Sequence, residues 1–335
     1  MTRRTVFIHV GAGKTATTAI QSAIPLLRKV LESFHVRAPL DPKVDPTLAE
    51  KPRPAAGYSF TLAKLLNPGY RRGKPFNILG AWKWLESELV NASIDDHNLL
   101  FSSEALQFAH PKELTKLSKL TTRLGWNVKI IFYARTAIDY TISEYLQYLK
   151  TGFIAFPSKD YPMNMGTYVQ QAIAPFMHTL SVYSNVFGKS SLIVRNFDQE
   201  RKEIIQSFFA LVVGEQIPIP AITHSNRSLT RNEQEALERI LILEGGPNMC
   251  RKIGAALAKA PLADNDSRLY YLTPEVINAY SENNIEVTRY VNKYLPPNQP
   301  IDISSDMTPL QINKSWKVEP DWHHTYTQFI NLLQL

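Results

Sequence analysis

Short runs of apolar and β-branched residues in this chain are each followed directly by a segment with helical periodicity. The first run is Thr5–Val10, and beyond it apolar residues recur from Ile20 to Leu31 at close to 3.6 residues per turn. Three further runs precede helical patterns, at Asn98–Ser102, Val128–Tyr133 and Ser190–Val194. Strands that alternate with helices predict an α/β fold, with a mostly parallel sheet flanked by helices on both faces.

The periodicity places the helices and suggests how the chain is organised. We predict helices at 15–34, 58–66, 80–90, 111–124, 137–150, 165–186, 199–213, 231–243, 249–260, 273–294 and 322–333. Pro25 lies inside the first helix and should kink it. We expect one domain over residues 1–335, with a loop-rich insertion at 35–97 and a helical region at 231–335 that shape a ligand site.

In open parallel sheets, ligands bind outside the carboxyl ends of the strands. The residues that follow the four strands are 11–18, 102–106, 134–143 and 195–198. These four segments are therefore where the chemistry of the protein is expected.

The segment after the first strand has the composition of an anion site. It reads Gly11-Ala12-Gly13-Lys14-Thr15-Ala16-Thr17-Thr18. Glycines allow the backbone N–H groups to turn toward an anion, and the following helix directs its N-terminus to the same place. Lys14 adds a full positive charge, and the three threonines add hydroxyl donors. This loop is predicted to bind a phosphate or sulfate group.

The obvious rival is an ATP or GTP loop of the form G-x-x-x-x-G-K-[ST]. Gly13-Lys14-Thr15 matches its end, but the opening glycine would have to stand where the chain has Ile8. Such enzymes also use an Asp at the end of a neighbouring strand to hold Mg²⁺. The second strand ends in Ser102-Ser103-Glu104, without an Asp. Both features argue against a kinase or NTPase that uses ATP and Mg²⁺.

A second anion site is predicted after the third strand. Arg135 stands at its carboxyl end, and Ser143 follows eight residues later, two turns into the next helix. Arginine binds phosphate in a bidentate manner, and serine adds a hydroxyl donor. Two phosphate sites without a metal motif suggest a nucleotide phosphorylated at two places, such as 3′-phosphoadenosine 5′-phosphosulfate (PAPS).

These segments resemble the PAPS-dependent sulfotransferase family, in particular its bacterial members. Phe7 to Gln21 is similar to the family's 5′-phosphosulfate loop, and Ile131 to Gln147 is similar to its 3′-phosphate strand and helix. Leu99–Glu104 and Asn226–Leu229 also resemble segments of the bacterial enzymes. The family usually has glycine at the position of Ala16.

The resemblance implies a fold like that of the P-loop nucleotide hydrolases, and sulfonate transfer from PAPS to a hydroxyl or amine, without a metal. Lys14 would stabilise charge on the bridging oxygen of the donor, and the loop would hold its 5′ end. Arg135 and Ser143 would hold the 3′-phosphate, which remains on the product, 3′,5′-bisphosphoadenosine (PAP). Asn226, Arg227 and Ser228 either close over the nucleotide or form an N-cap loop for the next helix.

Glu104 is the candidate general base, because the family uses Glu or His in this role. The alternatives are His110, His35 and His9, of which His9 is expected to be a core residue. The acceptor is expected to be a carbohydrate. The sequence does not indicate the oligomeric state.

Charge and composition limit the other partners. The net charge is +7, but the basic residues are dispersed, which argues against a nucleic-acid partner. The N-terminus lacks a signal-peptide pattern, and no apolar run approaches a membrane span. With a single cysteine, Cys250, the chain fits a reducing compartment, so a cytoplasmic location is expected. A non-catalytic module that binds a nucleotide or glycan stays open as an alternative to an enzyme.

Overall fold

A computed structural model describes most of the chain. The described residues are 4–40, 59–71, 75–152, 165–220, 229, 233–234, 236–238, 240, 246–259, 274–302 and 327. The chain divides into two compact units. Unit 1 comprises Met1–Arg135, Pro175–Ile222 and Tyr290–Ile301, and unit 2 comprises Thr136–Ala174, Thr223–Arg289 and Asp302–Leu335.

Unit 1 is built on a parallel sheet of five strands. The strands are β1 (Thr5–Val10), β2 (Val36–Arg37), β3 (Asn98–Ser103), β4 (Asn127–Ala134) and β5 (Leu192–Asn196). Their order is β2-β3-β1-β4-β5, so β1 lies at the centre with β3 and β4 on either side. His9 of β1 is opposite Ser102 of β3 and Ile131 of β4.

Helices cover both faces of this sheet, because successive residues of a strand point to opposite faces. The helices of unit 1 are α1 (Thr17–Leu26), α2 (Arg28–Ser33), α3 (Phe60–Leu66), α4 (Ile78–Ile94), α5 (Pro111–Arg123), α8 (Phe176–Phe187), α9 (Phe197–Glu200) and α10 (Ile204–Val213). On one face, α1, α2 and α10 share a core that includes Ile24, Ile131 and Phe208. On the other face, Phe176 of α8 packs edge-on against Phe132 of β4, with ring centroids 5.7 Å apart. The α/β class predicted from the sequence is confirmed.

Several predicted boundaries need correction. The insertion at 35–97 was expected to begin as a loop, but Val36–Arg37 forms the edge strand β2. The first helix is interrupted at Leu27, two residues after Pro25, and continues as α2. The helix predicted at 199–213 is two helices, α9 and α10.

Unit 2 contains α6 (Ala137–Thr151), α7 (Met165–Gln171), α11 (Gly246–Lys259) and α12 (Pro274–Asn292), the last of which runs on into unit 1 from Tyr290. The backbones of α6 and α11 approach closely, since a Cβ on Gly254 would lie 2.1 Å from the Lys150 carbonyl oxygen. The helix predicted at 165–186 ends at Gln171, and α8 begins after Pro175.

Some predictions fall on other parts of the chain. The described residues between 233 and 240 are helical, as predicted for 231–243, while the helix predicted at 322–333 lies outside the described residues except for Thr327. Asn226, Arg227 and Ser228 also lie outside them. Within the described ranges, no helix is both long and apolar enough to cross a membrane.

Candidate functional site

The carboxyl ends of β1 and β4 form the centre of the candidate site. The chain runs from β1 toward β2 at one edge of the sheet and from β4 toward β5 at the other. Such a reversal opens a crevice between the two neighbouring strands, where ligands of parallel sheets bind. The loop after β1 and Arg135 after β4 meet there, because Arg135 Nη1 donates to the Lys14 carbonyl oxygen at 3.3 Å.

The loop between β1 and α1 folds around the carbonyl group of Ala12. The hydroxyls of Thr15 and Thr17 both donate to the Ala12 oxygen, at 2.8 and 3.1 Å. Both side chains are buried, while Thr18 is half-buried. Thr15 and Thr17 therefore stabilise the conformation of the loop. The sequence predicted their hydroxyls as donors to an anion and did not indicate this structural role.

Positive φ angles occur at two residues of this loop that are not glycine. Lys14 has a φ of 65° and Ala16 a φ of 57°, both in the left-handed region. Gly13 lies outside that region. Gly11 is required by packing, since a Cβ there would lie 2.4 Å from Thr17 Cγ2. The loop thus turns at Lys14 and Ala16, and Gly11 provides room for Thr17.

Glu104 lies at the same edge of the sheet, directly after β3. It opens a 3₁₀ turn, Glu104–Phe108, in which Ser103 Oγ accepts a hydrogen bond from the Ala105 N–H at 3.3 Å. Burial raises the pKa of the Glu104 carboxyl above its ordinary value, and the nearby Lys14 ammonium opposes this rise. The half-buried Glu104 therefore lies near enough to Lys14 for the two charges to interact.

Arg135 is held by residues that follow β5. Its Nη2 lies 3.6 Å from Asp198 Oδ1, and its guanidinium carbon lies 5.2 Å from the centroid of the Phe197 ring. The Arg135 side chain is 14% exposed, so these contacts cover most of its surface while a small part stays accessible. Asp198 and Phe197 lie within the segment 195–198, which the strand pattern had marked for chemistry, although their contact with Arg135 depends on the strand order.

Ser143, the second residue predicted to bind the 3′-phosphate, lies in a different unit from Arg135. It is half-buried on α6 and belongs to unit 2, whereas Arg135 belongs to unit 1. The pairing of these two residues on one phosphate therefore stays a prediction from the sequence.

The three histidines considered as bases have other surroundings. His9 is fully buried, with its Nδ1 2.8 Å from Ser102 Oγ, and burial lowers its pKa to about 3. His110 caps α5, where its Nδ1 accepts a hydrogen bond from the Lys112 N–H at 3.2 Å. His35 follows α2 with a φ of 55°. Glu104, in contrast, directly follows Ser103, the residue of β3 that lies opposite Val10 of β1.

Comparison of the chain with protein-family models, with curated proteins and with solved structures finds no match.

Proposed function

We propose that this protein transfers a sulfonate group from PAPS to a hydroxyl or amine of an acceptor, for which a carbohydrate is the first class to test. The observation that carries the proposal is that the loop after β1 and Glu104 after β3 meet at the carboxyl edge of the sheet. The Gly11 N–H donates to the Ser103 carbonyl oxygen there at 3.2 Å, and the Lys14 ammonium lowers the pKa of Glu104. A cation that neutralises a leaving group and a carboxylate that accepts a proton are the two groups that this transfer requires.

The charges of the crevice fit an anionic donor. Lys14 and Arg135 both contribute positive charge, and Arg135 contacts the backbone of Lys14 directly. The N–H groups in the first turn of α1 have no acceptor within the helix, and the helix dipole adds to their attraction for anions. Asp198 offsets part of this charge beside Arg135.

In the proposed reaction the acceptor oxygen or nitrogen attacks sulfur, and the bond from sulfur to the bridging oxygen of the donor breaks. Glu104 takes the proton of the acceptor, and Lys14 stabilises the charge on the departing PAP. A carboxylate with a raised pKa is a stronger base than an ordinary one, so burial of Glu104 favours this step. The cytoplasmic location and the part assigned to Ser143 remain predictions from the sequence.

Calorimetric titration of the full chain tests the nucleotide. We expect PAP to bind at least about tenfold more tightly than ATP with Mg²⁺, because the chain lacks the opening glycine of an ATP loop. Lys14→Met should weaken PAP binding by at least about tenfold, since it removes a charge-assisted contact. Lys29→Met, on the exposed side of α2, is the matched control. Tighter binding of ATP with Mg²⁺, or equal effects of the two variants, would reject the proposal.

Transfer of ³⁵S-labelled sulfonate to a panel of sugar and amine acceptors tests catalysis. Glu104→Gln should bind PAP as the wild type does but lose about 10²-fold or more in kcat, the usual effect of removing a general base. If the variant keeps full kcat, Glu104 is not the base. Binding of PAP without transfer to any acceptor would favour the non-catalytic module.

A further inference from the structure

Lys64 is a buried lysine on a helix that is itself buried. Residues 61–66 of α3 are all buried, and Lys64 is 7% exposed. Lysine is rarely buried to this extent unless it is paired, because removing an ammonium group from water costs several kcal/mol. The groups around the Lys64 ammonium therefore show how far its charge is compensated.

The surroundings of the Lys64 ammonium are aromatic. Its Nζ lies 4.3 Å from the centroid of the Phe60 ring and 5.8 Å from that of Phe76. Among the residues that the structure describes, no carboxylate lies within ion-pair distance of it. Contacts with ring faces contribute about 0.5–2 kcal/mol, which is less than the loss of hydration.

A second cation lies against the same ring. The guanidinium carbon of Arg71 is 5.7 Å from the Phe76 centroid. Arg71 Nε and Nη2 donate to the carbonyl oxygens of Lys64 and Leu65, at 2.6 and 2.5 Å, which fixes the guanidinium at the end of α3. Arg71, too, has no ion pair within the described part of the chain. Two positive charges thus lie 5.8 and 5.7 Å from the centroid of one ring, and neither has an ion-pair partner among the described residues.

The segment that carries the two cations runs beside the carboxyl end of β3. Lys64 lies on α3, and Arg71 ends the 3₁₀ turn Pro68–Arg71 that follows it. At the two ends of α3, the Ser102 N–H donates to Ser59 Oγ at 2.8 Å, and Asn67 Nδ2 donates to the Ala105 carbonyl oxygen at 3.1 Å. These contacts involve residues on either side of Glu104 in the chain, so the segment 59–71 borders the candidate base.

We propose that Lys64 and Arg71 form an anion subsite that takes an oxyanion group of a ligand, either a carboxylate or a sulfate or phosphate ester. An oxyanion would supply the missing counter-charge and accept hydrogen bonds from the Lys64 ammonium and the remaining Arg71 N–H groups. Anion binding at this subsite is independent of the proposed function. Its use to hold an acidic acceptor next to Glu104 rests on that function.

Thermal unfolding of the full chain in sodium sulfate, compared with sodium chloride of equal ionic strength, tests the subsite. Bound sulfate raises the Tm through each site it occupies, so two anion sites contribute separately. Lys64→Met should lose about half of the sulfate-induced rise in Tm. The control Lys83→Met, on the exposed side of α4, should keep all of it. An equal rise in both variants, with sulfate and also with acetate, would overturn the proposal.

The same measurement with Lys14→Met separates this inference from the proposed function. If the loop after β1 binds no sulfate, Lys14→Met should keep the full sulfate-induced rise in Tm, as Lys83→Met does. Lys64→Met should still lose part of that rise. This result would support the subsite and count against the proposed function. Sodium acetate in place of sodium sulfate distinguishes a preference for carboxylates from a preference for tetrahedral anions. Loss of the acetate-induced or the sulfate-induced rise in Tm in Lys64→Met supports the subsite.

Competitive acetylation of the wild-type protein provides a test that needs no variant. Sulfate should slow acetylation of Lys64 at least about twofold and leave that of Lys83 unchanged, as measured by mass spectrometry of the peptides. This factor applies at sulfate concentrations of the Kd or higher, where at least half of the subsites are occupied and the bound anion shields Lys64 from the reagent. An unchanged rate at Lys64 would show that its ammonium has a purely structural contact with Phe60.

Discussion

Ala16 adopts a backbone conformation that residues other than glycine seldom take. Its φ of 57° places it in the left-handed region, immediately before α1, where its carbonyl oxygen accepts the first hydrogen bond of the helix from Ile20. For an L-residue this conformation costs about 1–2 kcal/mol. A glycine at this position would adopt the same conformation without that cost.

Replacing Ala16 with glycine should stabilise the protein. Relief of the left-handed strain exceeds the extra chain entropy that glycine brings to the unfolded state, so the free energy of unfolding should rise by about 0.5–1 kcal/mol. Ala19→Gly, at a regular helical position of α1, should lower it by about 1 kcal/mol. Urea denaturation measures both changes. Destabilisation of Ala16→Gly to the same extent as Ala19→Gly would contradict this account.

The break between α7 and α8 shows how a distant side chain overrides a local pattern. Residues 165–186 have helical periodicity, yet the helix ends at Gln171. The Ala174 N–H donates to Asn284 Oδ1 at 3.0 Å, and Asn284 Nδ2 donates to the Ala172 carbonyl oxygen at 3.0 Å. Asn284 is 1% exposed and replaces the hydrogen bonds that a continuous helix would make.

An aspartate at position 284 should therefore destabilise the protein strongly. The carboxylate accepts from Ala174 but cannot donate to Ala172 or Tyr280, whose carbonyl oxygens now bond to Asn284. We expect Asn284→Asp to lower the free energy of unfolding by about 3 kcal/mol, because a charge is buried and two donors are lost.

The neighbouring residue offers a matched control for this substitution. Asn283 is exposed and donates one hydrogen bond, to the Gln170 carbonyl oxygen at 3.2 Å. Asn283→Asp should cost no more than about 1 kcal/mol in the same urea titration. Similar losses in the two variants would mean that burial of Asn284 is not what matters.

At the scale of the whole molecule, stability depends on pH through a histidine with a lowered pKa, His9, which lies between the sheet and the helices of one face. His9 packs against Phe208 of α10, with ring centroids 5.0 Å apart, and its Nε2 has no hydrogen-bond partner among the described residues. Gln21 of α1 donates to Ser102 Oγ at 3.4 Å, the same hydroxyl that contacts His9. The imidazole is therefore neutral in the folded protein.

Stability should fall in mild acid because of His9. Its pKa is about 3 when folded and 6.5 when unfolded, so between these values the unfolded chain binds a proton that the folded chain does not. The contribution is fully present above pH 6.5 and is lost as the pH falls toward 3. Between pH 7.5 and 5 the wild type should lose about 2 kcal/mol from this residue.

His9→Gln isolates this effect, because an amide does not titrate. Urea denaturation at pH 7.5 and pH 5 should show a loss that is smaller by about 2 kcal/mol in the variant than in the wild type. Other ionisable groups, including Glu104, are present in both proteins and cancel in the difference. Equal losses would show that His9 is protonated in the folded state.

The sequence by itself determined the α/β class, the four main strands and the loop that joins β1 to α1. These features follow from periodicity and from residue types within short segments, which are local properties of the chain. It also indicated that Glu104 and Arg135 follow strands, and hence that both lie at the carboxyl edge of the sheet.

Only the tertiary structure decided which of these residues meet. Arg135 reaches the Lys14 carbonyl from 121 positions away, and Asn284 reaches Ala174 from 110. The strand order, the strained conformation of Ala16 and the absence of an acid beside Lys64 in the described residues likewise depend on which segments become neighbours. These properties arise from contacts through space, where packing of distant residues outweighs the preferences of any short segment.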